Sequence, residues 1–162
     1  VMAEGETIRN ILRLFNYGLF VVTSASPDGP RAATVSWVMQ ASFEPKLVAV
    51  GLRKGTAIYE AVRAAQQFGL HVVGQEQTDF ARAFFRVSQS NAEQIAGFRY
   101  NLTPRGVPLL GTAIAWLECE VIEEANGQGD HGIFIARILD GDIQAPGAQA
   151  LALHDTMWHY GG

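Results

Sequence analysis

The chain has 162 residues, of which 48% are hydrophobic and 17% charged, a balance typical of a globular domain rather than a disordered chain. The formal net charge is −4 without a basic cluster, so nucleic acid is not expected as a partner. The single Cys119 excludes an intrachain disulfide and suits a reducing compartment. The start has no signal-peptide pattern, and no apolar run could span a bilayer. We therefore expect one cytoplasmic domain over residues 1–162, with no membrane partner.

The first half of the chain predicts a helix, a β-hairpin, a buried strand and a second helix. Ser26, Pro27 and Gly29 supply turn residues for the hairpin. Thr56 can cap the second helix, and Gly69 is predicted to end it. In chain order the predicted elements are helix 7–16, strands 19–24, 31–38 and 47–52, and helix 57–68.

The second half predicts mainly strands. Residues 90–110 contain two prolines, and we expect one or two helical turns there, followed by an irregular loop. A turn at 126–130 separates two apolar strands, and residues 151–160 are predicted to be extended. The remaining predicted elements are strand 70–73, a helix capped by Thr78 or Asp79, and strands 112–122 and 132–139.

These elements predict a mainly β fold of six or seven strands with two or three flanking helices, arranged as a closed or half-open barrel. Strands and helices do not alternate regularly, and no glycine-rich dinucleotide fingerprint is present. The sequence therefore disfavours a Rossmann fold.

Residues 34–56 combine the groups that a phosphorylated, planar cofactor requires, and we interpret them as a flavin mononucleotide (FMN) site. Arg53 and Lys54 supply cations for a phosphate, and charge-assisted hydrogen bonds are strong. Thr56 supplies a hydroxyl at the start of a helix, where free N–H groups point outward. Gly51 lets the backbone approach the ligand closely. The alternative is a solvated loop end at Arg53 and Lys54, with Thr56 as an ordinary cap.

A flavin ring also needs backbone N–H groups and small polar side chains along its edge, and apolar side chains against its faces. Trp37 and Phe43 offer apolar faces, although both suit a hydrophobic core equally well. The candidates for the ring are the hydroxyl and backbone groups of the strand residues Thr34, Val35 and Ser36 and the amide of Gln40, and Ser42 is a candidate for the phosphate.

Several segments, in their order along the chain, resemble those of one family. They are NYGLFVVT (16–23), SWVMQASFEP (36–45), FGLHVV (68–73), DFARAFF (79–85), GDH (129–131) and DTMWHYGG (155–162). Together they resemble the flavin reductase-like proteins that bind FMN in a split β-barrel. The resemblance is closest to flavoredoxin-like proteins and to flavin reductase domains fused to flavodiiron proteins.

The resemblance implies a Greek-key split barrel and a homodimer with the flavin near the subunit interface. Such proteins take hydride from NADH or NADPH and pass electrons onward, in some cases to a redox protein partner. The resemblance places His131 beside the nicotinamide, whereas its spacing alone favours a turn histidine bonded to Asp130. The residues that the resemblance assigns to the flavin are Thr34, Ser36, Gln40, Ala41 and Ser42, with Arg53, Lys54 and Thr56 at the phosphate.

Three functional hypotheses remain open. The first is an NAD(P)H-dependent FMN reductase, the second an FMN electron carrier reduced by a protein partner, and the third a barrel without flavin that serves as a binding module. Trp37 bears on the first two, because many stand-alone reductases have Thr-Ala-Asn-Ser where this chain has Thr-Val-Ser-Trp at 34–37. An indole that narrows access would favour a retained cofactor.

The other histidines and the cysteine carry no predicted chemistry. His71 is expected to be structural, and Cys119 to be buried and unreactive. His154 and His159 lack metal-ligand spacing to an acidic or Cys partner, so no metal site is expected.

Overall fold

The computed structural model describes residues 4–162; residues 1–3, part of the predicted polar start, lie outside this range. Within it the helices are α1 (Gly5–Leu12), α2 (Ala57–Ala65) and α3 (Thr78–Arg82). The strands are β1 (Phe20–Ser24), β2 (Arg31–Val35), β3 (Val38–Ser42), β4 (Leu47–Arg53), β5 (Gln67–Val72), β6 (Gln94–Ile95), β7 (Phe98–Leu102), β8 (Pro108–Leu110), β9 (Ala115–Ala125) and β10 (His131–Ile143).

Seven strands form one antiparallel sheet in the order β2-β1-β5-β9-β10-β4-β3. Its two edge strands, β2 and β3, follow each other in the chain and are joined only by Ser36 and Trp37. Because two residues cannot bridge the width of a flat seven-stranded sheet, the sheet curls until its edges face each other. The edges are not hydrogen-bonded to each other, and we call the gap between them the seam. The mainly β, split-barrel prediction is confirmed.

Two apolar clusters support this arrangement. One fills the barrel beneath α2 and includes Tyr59, Phe68 and Phe134. The other includes Phe84 and Ile95 and packs α3 and the small β6-β7-β8 sheet against the outside of the barrel. The second cluster therefore fixes the residues after α3, some of which line the candidate site.

The second helix ends at Ala65 rather than at residue 68. Gln66 forms its C-cap in the left-handed conformation, with φ 58°. Gly69 lies within β5, where a Cβ atom would come within 2.9 Å of the Pro108 carbonyl oxygen. The prediction for Gly69 was wrong because this glycine permits close chain approach and does not end the helix.

The prediction for residues 90–110 was also wrong. This region forms the antiparallel β6-β7-β8 sheet and no helical turn. Ala96 (φ 51°) and Gly97 (φ 85°) make the two-residue turn between β6 and β7, the left-handed pair of a tight hairpin. An alanine at the first turn position hides this hairpin from sequence, because the usual Asn, Asp or Gly signal is absent.

The β9–β10 hairpin is longer than predicted and carries Asp130 and His131 at its turn. Residues 151–160, predicted to be extended, contain a short 3-10 turn at Leu153–Asp155. The chain then reaches the seam, where the ring of Tyr160 contacts that of Trp37. In residues 4–162 no helix has both the length and the apolar character to cross a membrane.

Candidate functional site

Three adjoining cavities lie on the β2 side of the seam, around the Ser36–Trp37 link and next to the end of the chain. Their volumes are about 240, 490 and 310 Å³, and Tyr160 lines all three. We name them by a lining residue: the arginine cavity contains Arg53, the histidine cavity His131 and the serine cavity Ser36. Together they have the concave, mixed polar and apolar character of a cofactor site.

Three arginines, Arg31, Arg53 and Arg86, line the arginine cavity, and among the described residues no Asp or Glu does so. Arg31 is 4.0 Å from the exposed carboxylate of Asp28, an ion pair of little strength in water. Guanidinium groups match phosphate oxygens in geometry as well as charge. The arginine cavity therefore suits a phosphate.

Thr56 caps α2 at the edge of the same cavity. Its Oγ1 accepts a hydrogen bond from the Tyr59 N–H at 3.3 Å and donates to the Arg53 carbonyl oxygen at 2.7 Å. The hydroxyl is thus engaged within the protein. Ala57 and Ile58 line the cavity, so this position offers an anion the N–H groups of the helix start.

His131 lies between a carboxylate and a phenol. Its Nδ1 is 2.7 Å from Asp130 Oδ1, and its Nε2 is 2.5 Å from Tyr160 Oη. The hydrogen bond to His131 lowers the pKa of Asp130, and burial raises the pKa of Tyr160. Asp130, as a carboxylate, accepts from Nδ1–H, and the Tyr160 hydroxyl is hydrogen-bonded to Nε2. The contact with Asp130 is the one expected of a turn histidine. The contact with Tyr160, in contrast, lies beside the three cavities.

The pairing of β4 with β10 brings the cation and the histidine together, because Arg53 lies opposite His131 in the register. Trp37 packs on His131 with ring centroids 4.3 Å apart. It also covers Gly51, where a Cβ atom would lie 3.3 Å from the Trp37 Cβ. Gly51 lines the arginine cavity. Its lack of a side chain, however, makes room for the Trp37 indole and not for a ligand.

Two buried polar atoms at the seam, Ser36 Oγ and Trp37 Nε1, have no hydrogen-bond partner among the described residues. An unsatisfied buried group costs about 1–3 kcal/mol, so both atoms are candidates for ligand contacts. Val35 and Thr34 line the arginine and serine cavities. The Thr34 hydroxyl, however, donates to the Ala81 carbonyl at 2.6 Å, which leaves its hydroxyl hydrogen unavailable to a ligand.

Several candidates lie apart from the three cavities. On β3 and the turn after it these are Gln40, Ala41, Ser42 and Phe43. The Gln40 amide donates to the Ser42 carbonyl at 3.2 Å. Lys54 donates to the Asn126 carbonyl at 2.9 Å, on the β9–β10 turn. Lys54 lies in the turn that follows β4, and its side chain is held at the β9–β10 turn, so it does not share the cavity of Arg53.

Sequence reasoning missed Arg31, Arg86, Ser88 and Tyr160. Arg31 opens the same strand as Thr34, so its position on the predicted hairpin was an available signal. Arg86 and Ser88 follow α3 and reach the arginine cavity only through packing of the second core cluster. Tyr160 lies in the 155–162 segment, which resembles the family in sequence. Its position against His131 and Trp37, however, is set by tertiary contacts that the sequence does not reveal.

Two further buried groups, His71 and Cys119, are structural. Burial lowers the pKa of His71 to about 4, and its ring nitrogens bind the Val21 carbonyl and the Leu110 N–H at 2.9 Å each. Burial raises the pKa of the Cys119 thiol to about 12, which disfavours the reactive thiolate. No group of three His, Cys, Asp or Glu side chains within residues 4–162 is placed to hold a metal ion.

A family model described as the flavin reductase like domain matches residues 12–161. The chain belongs to the flavin reductase-like family. It is 30% identical over 144 residues to the FMN reductase (NADH) SmoA of Agrobacterium fabrum, which covers 86% of this chain and 80% of that protein. The solved flavin reductase of styrene monooxygenase from Pseudomonas putida S12 superposes with a TM-score of 0.76 at 26% identity, covering 91% of both chains.

This flavin reductase-like chain also matches diflavin flavoprotein A 1 of Synechocystis sp., with 29% identity over 144 residues. That match covers 88% of this chain but 25% of the relative. The chain therefore spans about a quarter of the length of the diflavin flavoproteins among its relatives. The family resemblance seen in the sequence is confirmed.

The residues present fit a flavin. The arginine cavity offers cations and a helix start to a phosphate, and the unpartnered Ser36 Oγ and Trp37 Nε1 offer donors to a polar ring edge. A ligand that satisfied these atoms would remove the cost of leaving them buried without partners.

Proposed function

We propose that this protein is an NAD(P)H-dependent flavin reductase that binds FMN. One observation carries the proposal. Arg53, which lines the arginine cavity, is paired directly with His131 where β4 and β10 run side by side. A phosphate site and a histidine at adjoining cavities match the two nucleotides that such an enzyme must hold. The relatives named as FMN reductase and as the flavin reductase of styrene monooxygenase support the same activity.

Arg53, Arg31 and Arg86 would hold the flavin phosphate, together with the N–H groups at the start of α2. Ser36 and Trp37 would donate to the ring. When bound, flavin accepts hydride from a nicotinamide nucleotide and passes electrons to an acceptor. The protein contributes position, electrostatics and exclusion of water.

The catalytic residue in this proposal is His131. Asp130 holds the imidazole with its proton on Nδ1, which leaves Nε2 as the hydrogen-bond acceptor. His131 lines the histidine cavity, where Nε2 would accept from the carboxamide N–H of a nicotinamide. Arg53 lines the same cavity and would attract the phosphates of that nucleotide.

The electron-carrier hypothesis has less support. It depended on Trp37 narrowing access to the flavin, but Trp37 lines the histidine cavity and not the arginine cavity, so the indole does not cover the phosphate site. The relatives with whole-length matches are named as reductases. A binding module without flavin is also disfavoured, because it leaves the three arginines that line one cavity unexplained.

We propose FMN rather than FAD, since the three arginines line a single cavity, which suits one terminal phosphate. Either NADH or NADPH is compatible with the histidine cavity. We further propose a homodimer, because β3 and its turn expose Met39 and Phe43, which are 62% and 86% accessible. A redox protein partner, a cytoplasmic location and a single domain over 1–162 stay predictions.

The experiment is a comparison of Arg53→Gln with Lys54→Gln. Both remove one positive charge from adjacent residues, but only Arg53 lines the arginine cavity. FMN titrated into the flavin-free protein should bind Arg53→Gln about thirtyfold more weakly than the unsubstituted protein. Lys54→Gln should bind FMN normally, and both variants should keep their melting temperature. Equal losses in the two variants would contradict the phosphate site.

A further inference from the structure

The nitrogen that His131 would offer to a nucleotide is already occupied. Its Nδ1 donates to Asp130, and its Nε2 lies 2.5 Å from the Tyr160 hydroxyl. An imidazole has two ring nitrogens for hydrogen bonding, and both already have a partner. His131 is only 7% exposed. A ligand can therefore bind Nε2 only after Tyr160 has moved.

Tyr160 belongs to a segment that can move at low cost. Residues 157–162, which we call the cover segment, make no backbone–backbone hydrogen bond with the described residues. Side chains hold it instead: Trp158 packs edge-on against Phe85, with centroids 4.6 Å apart, and Arg82 lies 5.5 Å from the Trp158 ring. A segment without ladder hydrogen bonds belongs to the least stable part of a fold.

The position of Tyr160 also divides the site. It is the residue shared by the arginine, histidine and serine cavities, and its ring meets that of Trp37 at 5.2 Å. Displacing this one side chain would join the three cavities. The same movement would free Nε2 of His131.

We propose that Tyr160 controls the access of the nicotinamide nucleotide to His131, an inference that rests on the proposed function. In the closed arrangement the Tyr160 hydroxyl occupies the nitrogen that the nucleotide requires. Nucleotide binding displaces the cover segment and replaces the Tyr160 hydrogen bond with one from the ligand. Tyr160 is thus a positioning residue that acts through His131.

The test uses Tyr160→Phe, which keeps the aromatic ring and removes the hydroxyl. The dissociation constant for NADH is measured by calorimetry on flavin-free protein, and KM and kcat are measured with FMN present. We expect both the dissociation constant and KM to fall about fivefold, the worth of one competing hydrogen bond. Maximal kcat should stay within about twofold, since chemistry in the open state is unchanged.

A double-mutant cycle shows whether Tyr160 acts through His131. In the His131→Ala background, Tyr160→Phe should leave NADH affinity unchanged. Tyr100→Phe is the matched control, because its hydroxyl donates to the Asn91 carbonyl at 2.8 Å outside the three cavities. It should bind NADH like the unsubstituted protein.

Unchanged or weaker NADH binding by Tyr160→Phe would overturn the inference, as would an equal gain in the His131→Ala background. Absence of NADH binding in every variant would overturn it as well. A protein that binds NADH but never reduces its flavin would instead refute the proposed function. In that case the calorimetric comparison still decides the role of Tyr160.

Discussion

The two buried histidines of this protein differ in what binds them. His71 is completely buried, and both ring nitrogens bind backbone groups of neighbouring segments, Val21 and Leu110. His131 is nearly as buried, but its partners are the side chains of Asp130 and Tyr160. The first ring joins two sheets, and the second lies at the junction of three cavities.

The comparison separates a structural histidine from the one that we propose to be functional. Backbone partners cannot leave His71 without disrupting β1 or the end of β8, so this ring cannot exchange them for a ligand. The partners of His131 lie on an exposed carboxylate and on the cover segment, and they can rotate away. The number of hydrogen bonds is equal, and the mobility of the partners makes the difference.

The largest effect that tests this comparison is on stability. His71→Ala removes a fully buried ring and leaves the Leu110 N–H and Val21 carbonyl without this partner, so we expect a loss of about 3 kcal/mol in the free energy of unfolding. Chemical denaturation measures it. His131→Ala is the matched control and should lose about 1 kcal/mol. Similar losses for both would break the comparison.

The pH dependence of stability should come next. Burial lowers the pKa of His71 to about 4 from 6.5, so between these values the unfolded chain binds a proton that the folded one does not. The contribution of His71 is complete above pH 6.5, declines as pH falls to 4 and levels off below, amounting to about 3 kcal/mol. The difference in the free energy of unfolding between the unsubstituted protein and His71→Ala should therefore shrink as the pH falls through this range. A constant difference would show that His71 is not held neutral.

Activity should respond in the opposite order. His131→Ala should lower kcat/KM for NADH by about tenfold or more, because one oriented contact to the nucleotide is lost. Steady-state oxidation of NADH with FMN present measures this. His71→Ala, studied at a temperature where it stays folded, should keep kcat/KM within about twofold. A normal rate in His131→Ala would remove the histidine from the mechanism.

The smallest expected effect is that of removing the Ser36 hydroxyl at the seam. Ser36→Ala removes a buried hydroxyl that has no partner, so the flavin-free protein should gain about 1 kcal/mol in stability. FMN affinity should fall by about fivefold at the same time, since the ring loses a donor. Thermal unfolding with and without FMN measures both. A loss of stability without FMN would mean that Ser36 has a partner inside the fold.

Local patterns predicted those parts of the molecule that depend on neighbours in sequence. The hairpin turn, the Thr56 cap and the Asp130–His131 turn were all visible in short motifs. Residues 90–110 were not, because a positive φ at Ala96 has no sequence signature. The site shows the same limit: Tyr160 reaches His131 across 29 residues, a contact that only tertiary packing creates.

The central claim is tested most directly by anaerobic titration of the FMN-loaded protein with NADH and then NADPH, following the absorption band of oxidised flavin. We predict prompt bleaching by at least one nucleotide, and the more effective one is the preferred donor. A bound flavin that stays oxidised with both would contradict the reductase and leave the electron carrier as the better description.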